Sequence, residues 1–568
     1  MGILFWLGLA QVLSIRQECQ TWDEGIEISS GYVYLKTGQN RLTPEHPPLA
    51  RILAALPLLA MNPAIDVAHP SFQNNDRIGF GIWFMYHNRV DAGRMLFAAR
   101  LTVIATTLLL VLAAGLWVRT MFGAVAGLAC AWLLAFDPTV IAHGRYVKHE
   151  MLVSLFALLT MAAWGKYLST WKWRWAAVAG TLFGLALVSK FTALFLVPVF
   201  VVTYGLAHWW RARRFSPLWC LLTFATLALA AAPVVAVTYA PEAAKLVPAT
   251  SRYRAAHPSV RFLVDAVRTG SEPADTIVRV SRRLGVQDHS FLTGLIQFAG
   301  HSGGGHRAYL LGQLSETGWW YYFPVAFAVK TPVATLAALA LAAAFAARRL
   351  WTGRRRLRSD IRFEVLLCAI PVAVYVLYSM WSRVNIGLRH LLPVYPFLFA
   401  LAAAPLAGCR WRWRGAAGAA LGLLLAVESL SIYPHYTAFF NAAAGGPEAG
   451  PRYLLDSNLD WGQDLPKLHK YLAARGNPKL CLCYFGSADH VYYKMGPFQD
   501  VPRTWDFKER EEVDCLAAVS ATPLYNLYMQ PREMTWLHGR EPVAKIGYSI
   551  YVFDLRRGVT SAGANPRD

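Results

Sequence analysis

"MLFAARLTVIATTLLLVLAAGLWV" occupies residues 95–118 and is followed at once by Arg119. A helix that crosses a bilayer needs about 20 predominantly apolar residues, and this run supplies them. Comparable runs lie near 121–138, 150–168, 174–189, 190–209, 217–239, 324–347, 363–381, 390–407 and 414–432. A shorter run at 2–15 lacks the basic start and the small-residue cleavage site of a signal peptide, and it is read as a first span with a tight start. The expectation is an α-helical polytopic membrane protein with about eleven transmembrane helices.

Composition agrees. The chain has 568 residues, of which 55% are hydrophobic and 16% charged, whereas soluble domains carry about 25% charged residues. The net charge of +21 does not make a nucleic-acid-binding face, because the basic residues fall in short clusters between apolar runs. Arg119, Lys172 with Arg174, "RARR" at 211–214, "RRLWTGRRRLR" at 348–358 and "CRWRWR" at 409–414 occupy every second loop. Short loops rich in Lys and Arg stay cytoplasmic. The opposite loops, 16–94, 139–149, 240–323, 382–389 and the tail from 433, are therefore expected to face outward.

Two of these outward regions, 16–94 and 240–323, exceed the length of simple connectors. The first contains "LARILAALPLLA" at 49–60, which suits an interfacial or re-entrant helix. The second carries "GHSGGGHRAYLLG" at 300–312 and the aromatic girdle "GWWYYF" at 318–323, an interface marker. From 433 the chain turns soluble in character. "KLCLCYFG" and "GYSIYVFDL" alternate like strands, and "LPKLHKYLAA" reads as a helix. The expected organisation is a membrane catalytic domain over 1–432 and a small α/β periplasmic domain over 433–568. Cys130, Cys220, Cys368 and Cys409 lie in or beside apolar runs. Cys515 could bridge to Cys481 or to Cys483, and a reduced set fits the sequence equally well.

The outward loops hold the candidates for chemistry. "TWDEGIEISSGYVYLKTGQNRLTPEHPPLA" at 21–50 brings together Asp23, Glu24, Glu27, Glu45 and His46, with Pro47 and Pro48 stiffening the chain. "HGRYVKHEM" at 143–151 adds Arg145 and Glu150, "SKFTA" adds Lys190, and "SRVNIGLRHLLP" at 382–393 adds Arg389 and His390. Lys330 lies inside the otherwise apolar "VAFAVKTP". Ionisable groups in or beside a bilayer cost several kcal/mol and are functional candidates by default. Carboxylates and cations on one side of the membrane suit transfer of a group from a lipid-linked phosphate. A carboxylate takes the acceptor's proton, and Arg and Lys stabilise the departing phosphate.

"WDE" at 22–24, "HPPLAR" at 46–51, "DPTVIAHGRYVKHEM" at 137–151, "SKFTALFLVP" at 189–198 and "NIGLRHLLPVYPF" at 385–397 resemble the polyprenyl-phosphate-sugar-dependent glycosyltransferases of the GT-C fold. Protein O-mannosyltransferases and the lipid A aminoarabinose transferase are among them. The resemblance spans nearly the whole membrane portion, in family order. It implies inverting transfer by single displacement with Asp23 as base, and Glu24 positioning the acceptor or supporting the base. Glu45, His46, Arg145, Glu150, Lys190, Lys330, Arg389 and His390 are expected around the donor phosphate and sugar. Glu150 stands where relatives usually carry Asp, and "KHE" departs from their Thr-Thr-Asp. Some relatives bind a divalent metal and others work without one, so a metal is left open.

"DSNLDWGQDLP" at 456–466 resembles a bacterial branch of the same family. It begins like an EF-hand calcium loop, but Trp461 holds the place of the required Gly and Lys467 that of the bidentate Glu. The EF-hand reading is excluded, which leaves a turn capping the helix near Leu465 or a contact with the acceptor. The expected function is an integral-membrane glycosyltransferase of a bacterial inner membrane. It would move a sugar from a polyprenyl-phosphate donor to an acceptor hydroxyl on protein, lipid A or another envelope glycan. The rival class is a transporter or flippase, which usually shows paired repeats and polar groups at the midplane. Neither feature is visible.

Overall fold

The computed structural model describes residues 1–210, 216–243, 290–351, 359–408, 414–496, 498–500, 514–529 and 534–556. "RARR", most of the basic clusters at 348–358 and 409–414, and over half of the 240–323 region lie outside the described residues. Every expected apolar run is helical. Five helices are long and apolar enough to cross a membrane: Ala92–Phe122, Glu150–Thr170, Phe191–Trp209, Pro217–Pro241 and Phe363–Trp381. The run expected as one span at 324–347 is a broken pair, Tyr322–Lys330 and Val333–Arg348, bent by 114°. Thr331 is extended there because the ring of Pro332 disfavours helical backbone in the residue before it. Gly2–Ile15, Ala124–Phe136, Trp173–Ser189, Leu388–Ala403 and Gly415–Ser431 are shorter apolar helices.

The 16–94 region folds against these helices as four further ones: Glu24–Thr37, Leu49–Met61, Pro70–Gln73 and Arg77–Tyr86. Glu24–Thr37 and Leu49–Met61 pack at Gly31, where a Cβ would collide with the backbone oxygen of Arg51. Arg51, fully buried, donates to Thr43 O at 2.9 Å, to His46 O at 3.1 Å and to Asn40 Oδ1. The "HPPLAR" motif thereby fixes the loop that carries its own His46.

The tail contains a mixed five-stranded sheet in the order Phe498–Asp500, Leu480–Cys483, Leu516–Ser520, Ile550–Asp554, Ala544–Ile546. The first three strands run parallel and the last two pair antiparallel. Leu465, Leu468 and Leu472 stripe one face of helix Leu465–Ala473 and pack on Leu480, Leu516 and Val552. A disulfide joins Cys481 to Cys515. The helix starts where the sequence places it, but its N-cap Asp464 makes no capping hydrogen bond. Its carboxylate accepts instead from Lys467 Nζ, Ser549 Oγ and Gln463 Nε2.

The segment 456–464 is buried throughout. It meets the first outward loop backbone to backbone, with Trp22 N donating to Trp461 O at 3.0 Å and Cys19 N to Gln463 O at 3.1 Å.

Candidate active site

Asp23 and Glu24 are neighbours in sequence and point to different faces, since adjacent positions at a helix start are not on one side. Asp23, at the N-cap of Glu24–Thr37, keeps its side chain 25% exposed, with Lys148 Nζ at 3.1 Å and Arg389 Nη1 at 3.6 Å. Burial works to raise its carboxyl, but Lys148 and Arg389 outweigh that and hold it below its ordinary value. Glu24 is fully buried and receives Arg100 at 2.9 and 2.6 Å. It also accepts from Thr21 N at 2.8 Å and Val147 N at 3.0 Å. Glu24 thus ties the turn carrying Asp23 to the loop carrying Lys148.

Glu27 lies one helical turn after Asp23 and shares its face. Its Oε1 meets Lys148 Nζ at 3.1 Å and His149 Nε2 at 3.0 Å. Burial opposes the charge on Glu27, and His149 with Lys148 more than offsets it, holding the carboxyl well below its usual range. The His46 ring stands 4.8 Å from that of His149. Burial, then the His149 charge, push His46 well below its ordinary value, which keeps it neutral.

Glu27, His46 and His149 each offer one donor atom, all within 4.8 Å of one another. Glu27 Oε2 and His149 Nδ1 are buried without a hydrogen-bond partner. Two imidazoles and a carboxylate, one of them neutral and two with unspent atoms, fit a first-row divalent cation such as zinc. Among the described residues this is where a metal fits.

Glu150 and Lys190 form a buried pair at 2.9 Å. Lys190 occupies the extended break between Trp173–Ser189 and the 3-10 turn Phe191–Phe195. Arg389 and His390 belong to the 3-10 segment Leu388–Val394. Arg389 Nε and Nη1 and His390 Nε2 are buried without a hydrogen-bond partner, and the Arg389 guanidinium lies 4.1 Å over the Trp461 ring.

Three expected residues are occupied elsewhere. Arg145 is buried on Glu18 at 2.7 Å, Glu45 pairs with Arg77, and Lys330 is held by Thr437 O at 3.0 Å and by Asn458 O. Asp23, His46, Glu150, Lys190, Arg389 and His390 gather around one region together with Lys148, His149 and Glu27. Glu27 was among the outward-loop carboxylates and Lys148 and His149 stand in a quoted motif, but none of the three was assigned a role. Their signal was spacing: Glu27 at the fourth position after Asp23, and Lys148 and His149 directly before Glu150.

Residues 83–237 match the family model described as dolichyl-phosphate-mannose-protein mannosyltransferase. No curated protein matches the sequence. Among solved structures, the chain is similar to ArnT from Cupriavidus metallidurans bound to undecaprenyl phosphate, at 15% identity over 100% of this chain and 98% of that one, with a TM-score of 0.45. It is also similar to the archaeal oligosaccharyltransferase AglB from Archaeoglobus fulgidus in complex with an inhibitory peptide and a dolichol-phosphate, at 14% identity over 89% and 61%, with a TM-score of 0.40. The family match lies across the stretch that contains "DPTVIAHGRYVKHEM" and "SKFTALFLVP", so the resemblance to protein mannosyltransferases carried by those motifs is borne out over residues 83–237, in a multi-pass membrane protein.

Proposed function

We propose that this protein is an inverting glycosyltransferase that moves a sugar from a polyprenyl-phosphate donor to an acceptor hydroxyl on the outer face of a bacterial inner membrane. In this reading the chain has eleven spans over 1–432, and residues 433–568 form a periplasmic α/β domain. One observation carries the proposal. Of Asp23, Glu24, Glu27 and Glu150, only Asp23 keeps appreciable open surface, and the cation beside it, Arg389, has N–H groups with no hydrogen-bond partner.

Asp23 accepts the proton of the acceptor hydroxyl. The hydroxyl oxygen attacks the anomeric carbon from the side opposite the phosphate, and the carbon–phosphate-oxygen bond breaks with its electron pair going to polyprenyl phosphate. Arg389, Lys190 and Lys148 face the charge that develops there. In the free enzyme Lys148 and Arg389 depress Asp23, which makes it a weak base. A bound phosphate takes up part of their field, so Asp23 gains basicity when the donor is in place. Three carboxylates (Asp23, Glu27, Glu150) balance three permanent cations (Lys148, Lys190, Arg389), leaving the donor's negative charge to be met. A divalent ion on Glu27, His46 and His149 would supply Lewis-acid charge for that phosphate.

The test incubates the purified protein and its Asp23→Asn variant with several polyprenyl-phosphate sugars and cell-envelope extract. Release of polyprenyl phosphate and transfer of labelled sugar by the wild type but not the variant is the expected result. Equal release by both removes Asp23 as base. No release from any donor by folded wild type favours the transporter class.

A further inference from the structure

We propose that the tail segment 456–461 is part of the donor-phosphate site, with Trp461 and Asn458 acting as positioning residues for Arg389. The inference rests on the donor reading above and goes beyond it by placing tail residues in the machinery. The segment grips the chain immediately before Arg389, on both sides of Gly387. Asn458 Oδ1 accepts from Leu388 N at 2.9 Å, and Ser457 Oγ donates to Ile386 O at 2.6 Å. Gly387 lies between them, where a Cβ would collide with Ser457 Oγ. Asn458 is itself fixed, its Nδ2 donating to Tyr322 OH at 3.0 Å and Leu455 O at 2.9 Å.

Trp461 acts on the guanidinium itself. The ring is 2% exposed and sits edge-on to His143 and Tyr146, each at 5.8 Å, so it has no freedom to turn away. The carboxylate paired with Arg389, that of Asp23, stands at 3.6 Å, beyond hydrogen-bond distance, so it leaves the N–H groups unconsumed. An aromatic face stabilises a desolvated cation without consuming any donor. Arg389 accordingly reaches the site 5% exposed with Nε and Nη1 unspent, which is the state a phosphate-binding arginine requires. The carbonyl of Trp461 also receives Trp22 N at 3.0 Å, one residue before Asp23. A single residue therefore sets the spacing between the cation that meets the donor and the base that meets the acceptor.

The experiment titrates full-length protein in detergent with undecaprenyl phosphate carrying no sugar, so that sugar identity does not enter. Trp461→Leu is expected to weaken binding about tenfold, and Trp461→Phe, which keeps an aromatic face, by less. The deciding measurement is the double-mutant cycle. In an Arg389→Gln background, adding Trp461→Leu should cost nothing further. The same loss with and without Arg389, or wild-type affinity in Trp461→Leu, overturns the inference. Should Trp461→Leu fail to fold, Asn458→Ser takes its place in the cycle, with the same two outcomes separating support from refutation. Absence of binding by folded wild type would instead sink the donor reading itself.

Discussion

Replacing Glu24 and replacing Asp23 should have opposite consequences, although the two are adjacent. Glu24→Gln removes the negative charge facing Arg100, which is 1% exposed and whose remaining partners are carbonyls, the nearest Cys19 O at 2.7 Å. Breaking a buried pair by removing one partner costs about 3–5 kcal/mol, because a charge is left uncompensated. Asp23→Asn removes a partly exposed carboxylate. Lys148 retains Glu27 at 3.1 Å, so the stability loss should stay within about 1 kcal/mol. The rate should behave the other way. Loss of a general base costs about 10²–10⁴-fold, whereas Glu24→Gln, assayed well below its lowered unfolding midpoint, should retain most activity. The assay pairs thermal unfolding in detergent with release of polyprenyl phosphate, and includes Glu24→Gln/Arg100→Gln, which should recover part of the lost stability. Wild-type stability in Glu24→Gln together with a rate loss as large as that of Asp23→Asn would refute the reasoning, because Glu24 would then be touching substrate.

Zinc added to metal-stripped protein should raise the unfolding midpoint, by about 2.7 kcal/mol of stabilisation at a hundredfold excess over Kd, and His149→Ala should abolish the effect. Burial drives the Asp460 carboxyl up from 3.8 to about 8. The folded state then keeps a proton that the unfolded chain has already lost, so this contribution is fully favourable below 3.8 and declines as pH rises towards 8. Asp460→Asn should flatten that decline in unfolding midpoints measured across the window. Reduction of Cys481–Cys515, which closes a loop with a sequence separation of 34, should lower stability by about 2–4 kcal/mol, and Cys483→Ser should leave the effect of reductant unchanged.

What the sequence disclosed follows from the range of the forces involved. Helix positions were legible because lipid demands long apolar runs, and the elbow at 331–332 was missed although Thr331-Pro332 stood in plain view, because hydropathy averages over it. Asp23 was singled out by its motif. The role of Glu27 was not, since its partners His46 and His149 lie 19 and 122 positions away and only packing brings them together. Cys481 and Cys483 could not be separated by pattern, because residues two apart in a strand share a face. Lys330 was read as a candidate at the donor, and its burial has a local cause instead: the carbonyls of Thr437 and Asn458 close over it. Trp461 gave no sign of its place over Arg389, 72 positions earlier in the chain.

The burial of 456–464 also bears on timing. Those residues leave the ribosome only after all the apolar helices among the described residues have been made. Until they dock, Lys330 lacks one of its two carbonyl partners and Arg389 lacks the ring beneath it. A nascent or clipped chain that has inserted all its helices therefore holds Asp23 with Lys148 beside it but without a seated Arg389. On the proposed function, such a chain would bind a lipid-linked donor poorly, and the order of synthesis itself would delay activity until the tail has docked.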